Sequence, residues 1–457
     1  MEKNTFYHAL QIDEDKCIGC SHCMKICPTE AIRVCNGKAR IFENRCIDCG
    51  KCYKVCFSKA IYLKQDDFDS IFDYKCRVAL VPAVFLGQFP TDIRPSRIYA
   101  VLYELGFNHV FEIESAVSIY AYLKNLYARD HTDDYPLISA FCPAIVRLIQ
   151  VKFPSLVNNI IPVKPPVDIT AMYARKLLEE QGCNPDDIGL FYITPCAAKI
   201  AAVKSPVGEE KSIINGVINM DVLYNRVYKK IKEQGKNYVA PQFSKARLSS
   251  DAILSSLTNG ERRLCMAKRS LSIDEIDNVI EFLEKVENDE IEGIEFLELR
   301  ACDQSCAGGV LVCENRFLVS ECMYARARKV AERERNGETT RDLEINKERD
   351  YLAKNSMVES IKPRSMMVLD KDISKALEKM ERIREIKNML PQTDCCFCGA
   401  PTCDALAEDI VRDNAQLTDC IFIQRSLEAV DNMKISEAID ITKKIWGNEK
   451  LNISNDE

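Results

Sequence analysis

Two cysteine runs near the start of the chain restrict its fold more than any other feature. Cys17, Cys20, Cys23 and Cys27 are followed by Cys46, Cys49, Cys52 and Cys56, each run spaced C-x2-C-x2-C-x3-C. Three thiolates so close together can grip one face of a metal cluster, and a fourth must close it. The repeat extends past the cysteines, because Ala31-Ile32 and Ala60-Ile61 recur at the same offset. In 457 residues there are 23 cysteines but only 4 histidines, of which His22 alone lies among the cysteines, so all-thiolate iron–sulfur ligation fits better than mixed Cys/His zinc sites. The opening segment MEKNTFYHALQIDEDK carries acids and no apolar leader, which sets a cytoplasmic expectation. In that compartment clustered cysteines read as metal sites and not as a disulfide framework.

The double run resembles the bacterial two-cluster ferredoxins, in which the fourth cysteine of each run ligates the other run's cluster. The resemblance implies one 4Fe-4S cluster on Cys17, Cys20, Cys23 and Cys56, and a second on Cys46, Cys49, Cys52 and Cys27. An α+β ferredoxin-like domain is expected over residues 1–76. Phe57 stands where a second proline would match Pro28. His22 is expected to be solvated, and Cys35 and Cys76 to be free thiols. A ferredoxin at the start of a long chain is a wire, so a user of electrons is expected downstream.

The net charge of −7 excludes a general attraction to nucleic acid or anionic membrane, and no apolar run is long enough to span a bilayer. Between residues 77 and 330, short apolar runs alternate with 3.6-residue periodicity. Strands are expected at 77–86, 137–141, 188–193 and 294–299, and helices at 98–105, 119–127, 144–151 and 273–286. The alternation predicts an α/β domain with parallel strands. Three of the runs end in cysteine: Cys142-Pro143, Pro195-Cys196 and the pair Cys302 and Cys306. Open α/β sheets bind ligands beyond the carboxyl ends of their strands, so four thiols could converge on one crevice. Pro143 at a helix start would put Cys142 at a positive helix end, which favours the thiolate. Gly308-Gly309 suits close backbone approach to a cofactor. Cys183, Cys265, Cys313 and Cys322 follow no ligand spacing and read as packing residues.

The segments FCPAIVRLIQ, TPCAAK and ELRACDQSCAGG, with VPAVFLGQF at 81–89, resemble the signature segments of the iron-only hydrogenases. The resemblance implies a 4Fe-4S cluster on Cys142, Cys196, Cys302 and Cys306, with Cys306 bridging to a diiron centre that carries CO, cyanide and azadithiolate. Together these groups form the H-cluster. Lys199 matches the lysine that hydrogen-bonds an iron-bound cyanide. Phe141 stands where the standard enzymes carry a proton-donating cysteine. Thr194 and Arg300 replace methionines, and the acidic residues of the proton path have no clear counterpart in IESAVSIYAYLK. These departures resemble the sensory branch of the family.

Residues 331–385 are expected to form a charged helical linker. The mixed-charge stretch 325–350 reads as a solvated helix broken near Asn336-Gly337, and a helix over 373–390 is ended by Pro391. Residues 386–457 are expected to form a small, mostly helical domain. Its Cys395, Cys398, Cys403 and Cys420 resemble the single 4Fe-4S domain found in corrinoid-protein subunits and on the C-terminal side of sensory-type hydrogenases. Cys396 falls where that motif has glycine, so the choice of Cys395 over Cys396 is by analogy.

The expected protein is hydrogenase-like and sensory or regulatory, interconverting H2 with protons and electrons at low turnover through three 4Fe-4S clusters and an H-cluster. Its implied partners are a redox protein such as a ferredoxin, or a signalling protein, together with hydrogenase maturation proteins; nucleic acid and membrane are not among them. Two alternatives remain open at this point: a non-catalytic iron–sulfur assembly factor, and a plain iron–sulfur electron-transfer protein. No G-x-G-x-x-G or phosphate-loop motif supports a nucleotide site.

Overall fold

A computed structural model describes residues 6–235, 238, 248–337, 342–359, 361–364, 369–370 and 372–451. Residues 10–64 and 364–457 belong to one compact unit, and residues 1–9 and 65–363 to the other.

The first unit has four short strands: β1 (Leu10–Ile12), β2 (Ile32–Cys35), β3 (Lys38–Ile41) and β4 (Ile61–Leu63). β1 pairs antiparallel with β4, and β2 with β3. The first cysteine run therefore lies between β1 and β2, and the second between β3 and β4. Each run enters a short helix, His22–Lys25 or Lys51–Val55. The residue before each helix is left-handed, Ser21 at φ 65° and Gly50 at φ 80°, which turns the chain sharply enough to stack successive thiols.

Helices Ile373–Met389, Cys403–Val411, Ile421–Ala429 and Ile435–Trp446 complete this unit. The backbone of β2 joins them: Val34 N–H donates to Gly399 O and Asn36 N–H to Lys444 O, both at 2.9 Å. Arg33 forms a buried ion pair with Asp409, and Arg45 Nη2 lies 2.5 Å from Glu408 Oε2. The 373–390 expectation is met almost to the residue, and the helix stops at Met389 before Pro391.

The second unit carries β5 (Cys76–Val81), β6 (His109–Glu112), β7 (Leu137–Ile138), β8 (Ile188–Thr194), β9 (Gly216–Asn219), β10 (Ser270–Ile273) and β11 (Phe296–Leu299). They form two sheets, ordered β6-β5-β8-β9 and β10-β11-β7. Every pairing in both is parallel, as the alternating pattern predicts. Helices Pro95–Glu104, Val117–Asp130, Pro143–Lys152 and Pro166–Glu180 lie between the strands. One core cluster gathers Ile119, Leu123, Leu137, Phe141, Ile169 and Phe296. Full burial of each such side chain contributes roughly 1.5–3 kcal/mol.

Several boundaries differ from expectation for local reasons. The strand expected over 77–86 stops at Val81, because Pro82 lacks a ladder donor, and Ala83–Leu86 turns into a short helix. The 137–141 run pairs only through its first two residues before the chain turns toward Cys142. The helix expected from 273 starts at Ile276, since Ser270–Ile273 is claimed by pairing with β11. The charged stretch after 325 is the end of helix Arg316–Arg335, which is not wholly solvated. It buries Val319, Met323 and Ala327, and Arg326 Nη2 meets the buried Glu112 Oε1 at 2.5 Å. It ends, as expected, at Asn336 and Gly337, the latter at φ 82°. Cys313, read as a packing residue, is exposed. No helix among the described residues is long and apolar enough to cross a membrane.

Candidate metal centres

Eight thiols of the ferredoxin-like runs sort into two groups. Cys23 is pushed up to about 12 by burial and then by the thiols of Cys20, Cys17 and Cys56. Cys49 is pushed up to about 12 by burial and then by Cys27, and Cys46 is raised by burial, Asp48, Cys27 and Cys49. Cys56 thus lies near the first triplet and Cys27 near the second, the crossed arrangement that the ferredoxin resemblance implies. Backbone donors already point at two of the sulfurs: Ala39 N–H lies 3.3 Å from Cys17 Sγ, and Ala31 N–H 3.2 Å from Cys27 Sγ. Such donors stabilise an anionic cluster and set its potential. His22 is exposed, as expected, with its ring edge-on to Phe57 at 5.5 Å.

The central site is built at strand ends. β7 leads to Cys142, the residue before helix Pro143–Lys152, and β8 leads to Cys196, the residue before helix Ala197–Lys204. Both therefore sit at positive helix ends, which suit an anionic ligand. β11 leads to Cys302 and, one turn of chain later, Cys306. Cys196 is pushed up to about 12 by burial, opposed by Lys199, with the Cys306 and Cys142 thiols adding to the rise. Three loops thus bring Cys142, Cys196 and Cys306 to one place, and Cys302 lies on the Cys306 loop.

Lys199 Nζ donates toward Cys306 Sγ at 3.4 Å and lies 5.0 Å from the Phe141 ring centre. Burial disfavours its ammonium, but Cys306, Tyr192, Cys196 and Cys142 outweigh burial and hold Lys199 above its ordinary range. A cavity opens beside it, lined by Phe141, Tyr192, Ile113, Pro165 and Asp168. Burial, and then Glu209, push the Asp168 carboxyl up to about 7 against the pull of Lys164. Gly308 and Gly309 answer to the protein's own backbone: a Cβ at the first would strike the Asp303 carbonyl, and one at the second the Pro195 carbonyl. The Gly pair therefore lets the Cys302 and Cys196 loops close on each other.

Beneath the thiols lies a buried charge lattice that only Arg300 announces in the sequence. The Arg300 guanidinium stacks on Phe141 at 3.8 Å, and pairs with Glu261 at 2.9 Å and Glu298 at 3.5 Å. Lys124 Nζ reaches Glu261 at 3.7 Å, and Ser139 Oγ donates to the same carboxylate at 2.7 Å. Burial alone would raise Glu261, but Arg300 and Lys124 hold it below the usual carboxylate range. Burial raises Glu298 despite Arg300. Arg300 Nη1 is buried without a hydrogen-bond partner among the described residues, while the Cys306 and Cys142 thiols help to hold its charge. An orphaned cationic donor facing thiols suits an anionic iron–sulfur cluster. Lys124 and Glu261 lie far apart in sequence and follow no motif, so no sequence signal marks them. In the 113–124 segment, Glu114 is buried and its Oε1 accepts from Ala83 N–H at 2.8 Å. Burial pushes its carboxyl up to about 8.

In the C-terminal segment, Cys398 is pushed up to about 12 by burial and then by Cys395, Cys420 and Cys403. Cys403 opens helix Cys403–Val411, and Cys420 precedes helix Ile421–Ala429. Cys396 is left-handed, at φ 65°, a conformation that glycine accepts without strain. Its thiol is directed to the Pro401 and Asp394 carbonyls, at 3.1 and 3.4 Å. Among the remaining cysteines, Cys76 and Cys183 lie together, with sulfurs 2.7 Å apart.

Comparison with known proteins matches three separate stretches of the chain. Residues 75–224 match the family described as iron only hydrogenase large subunit, C-terminal domain; residues 9–57 match a 4Fe-4S dicluster domain, and residues 390–422 an Fe-S cluster family. Iron hydrogenase 1 of Clostridium pasteurianum is 25% identical over 147 residues, covering 30% of this chain and 25% of the relative. The periplasmic Fe hydrogenase large subunit of Nitratidesulfovibrio vulgaris is 30% identical over 212 residues, covering 42% of this chain and 50% of the relative. An FeFe-hydrogenase variant structure from Chlamydomonas reinhardtii superposes with a TM-score of 0.49 at 15% identity, covering 65% of this chain and 98% of that one. The chain spans from a quarter to about half the length of the curated relatives it matches. The central region, residues 75–224, thus resembles the iron-only hydrogenase large subunit, and in sequence it stands between a 4Fe-4S dicluster domain and a further Fe-S domain.

Proposed function

We propose that this chain is a sensory or regulatory hydrogenase, with Cys142, Cys196, Cys302 and Cys306 holding a 4Fe-4S cluster that Cys306 bridges to a diiron centre. The observation that carries the reading is the meeting of strand-end thiols with Lys199, whose Nζ lies 3.4 Å from Cys306 Sγ. When bound, the H-cluster supplies the interconversion of H2 with two protons and two electrons. Lys199 would orient it by a charged hydrogen bond to cyanide, worth roughly 1.5–3 kcal/mol net. Arg300 would add a cation beside Cys142 and Cys306. Phe141 offers no exchangeable proton, so this side chain cannot relay one and turnover by that route should be low. Slow turnover suits a protein that reports on H2 and passes the signal on.

The other twelve ligands follow the same reading. Cys17, Cys20, Cys23 and Cys56, then Cys46, Cys49, Cys52 and Cys27, and finally Cys395, Cys398, Cys403 and Cys420 would hold three 4Fe-4S clusters that relay electrons. Partners of this chemistry are a ferredoxin or signalling protein as electron acceptor and the maturation proteins that build a diiron centre, in the cytoplasm. Infrared spectra of protein produced with those maturation proteins test the proposal. CO and cyanide stretching bands are expected, and Cys306→Ser should abolish them while leaving the ferredoxin-type clusters. Iron–sulfur content without those bands would refute the diiron assignment and leave an electron-transfer or assembly protein.

A further inference from the structure

Cys76 and Cys183 lie in the second unit and belong to none of the thiol groups assigned above. Cys76 opens β5, and Cys183 sits in the connection between helix Pro166–Glu180 and β8. β5 and β8 are adjacent parallel strands, with Cys76 in register with Ile188. The two sulfurs are 2.7 Å apart across 107 residues of chain. Bonded sulfurs sit about 2.05 Å apart, so a small closing movement suffices. The surrounding backbone is fixed. Cys183 N–H donates to Leu178 O at 3.0 Å, and one residue before Cys76 the Lys75 Nζ pairs with Asp187 Oδ2 at 2.9 Å. The Lys75–Asp187 pair and the β5–β8 pairing therefore hold together the same two segments that the sulfur contact joins. Both cysteines are partly exposed, so a small reagent can reach them.

We propose that Cys76 and Cys183 form a reversible intrachain disulfide, a dithiol redox site separate from the iron–sulfur centres. The oxidant is a low-molecular-weight disulfide of the glutathione class. One protein thiolate attacks it, forming a mixed disulfide and releasing one small thiol. The second protein thiolate then displaces the other small thiol and closes the Cys76–Cys183 bond. Two electrons and two protons pass to the reagent, which leaves as two thiols. Burial first and Cys183 second push the Cys76 thiol up to about 11, so exchange quickens as pH rises. The bond would clamp the amino-terminal ends of β5 and β8, while Cys196 follows the opposite end of β8. It therefore stiffens the sheet without touching the metal site, and it stands whether or not the chain carries a diiron centre.

The test uses the cluster-loaded protein under anaerobic conditions, incubated at mild alkaline pH with glutathione disulfide or with dithiothreitol. Remaining thiols are then trapped by alkylation and the protein is digested for mass spectrometry. The expected result is one cross-linked peptide pair containing Cys76 and Cys183, two hydrogens lighter than the reduced pair and separated again by dithiothreitol. The oxidised protein should unfold at a higher temperature, with the visible absorption of its clusters unchanged. Cys76→Ser and Cys183→Ser should each remove the cross-link and the thermal shift, leaving a lasting glutathione adduct on the surviving thiol. Recovery of Cys76 and Cys183 as separately alkylated peptides from the oxidised wild type, or a lasting adduct there in place of the cross-link, would overturn the proposal.

Discussion

Replacing Arg300 with methionine would remove one cation from a lattice that holds two cations and two carboxylates. Arg300 and Lys124 face Glu261 and Glu298, and all four side chains are at most 3% exposed. After the change, Glu261 keeps Lys124 at 3.7 Å and Ser139 Oγ at 2.7 Å. Glu298 keeps the Arg262 backbone N–H, at 2.9 Å, and the weaker pull of Lys124, but loses the cation that offsets most of its charge. Breaking a buried ion pair on one side costs about 3–5 kcal/mol. That corresponds to roughly two to four orders of magnitude in local opening. The loss should appear where the lattice is pinned to backbone: Ser139 N–H donates to Leu297 O at 3.0 Å, and Arg300 N–H to Ile273 O at 2.9 Å. Amide hydrogen exchange of peptides spanning 137–141 and 296–300, measured on the cluster-loaded protein, reads it directly. Adding Glu298→Gln should restore most of the protection, because Lys124 and Glu261 then balance each other. Exchange within about tenfold of wild type for Arg300→Met, or a double variant no better than the single, would refute the charge-lattice account.

Three further outcomes follow from the geometry. Glu114 is buried and held at about 8, above its unfolded value, so its stabilising contribution is complete below about pH 4.5 and is lost as pH rises through 8. Glu114→Gln should therefore match wild type in urea stability near pH 5 and exceed it by a few kcal/mol near pH 9; parallel pH curves would refute this. Because the Cys396 thiol is engaged by backbone carbonyls, Cys396→Ser should retain the full iron content, whereas Cys395→Ser should lose one cluster's worth; the reverse result would exchange their roles. Phe141→Cys should raise H2 turnover in diiron-loaded protein, and unchanged turnover would show that proton supply at this position is not limiting.

Much of the grouping of the thiols could be read from the chain because cysteine spacing is local information. The crossing of Cys27 and Cys56 follows from two identical runs, and the strand-end placement of Cys142, Cys196 and Cys302 follows from apolar runs that stop at a cysteine. The charge lattice could not be read in this way. Glu261 comes from a loop before β10 and Lys124 from helix Val117–Asp130, and neither interrupts a pattern enough to be noticed. Arg300 was visible only as an unusual residue in a familiar segment, with nothing to say that it stacks on Phe141. Cys76 and Cys183 look unremarkable for the same reason, since their neighbourhood is created by strand pairing across 107 residues. The short reach of β5 and β7 also depends on particular residues, a proline in one and a turn toward Cys142 in the other.

The joining of β2 to the distant C-terminal helices has a consequence for how the protein is made. Val34 finds its partner at Gly399, Asn36 at Lys444 and Arg33 at Asp409. A ribosome adding about 5–20 residues per second needs roughly 20–70 s to pass from Lys64 to Gly399. During that interval the two cysteine runs are outside the tunnel while the helices that complete their unit do not yet exist. All of the sequence that forms the second unit emerges in the meantime. Residues 10–64 are thus made well before the helices that complete their unit, and the two cysteine runs wait in an incomplete fold until the end of synthesis.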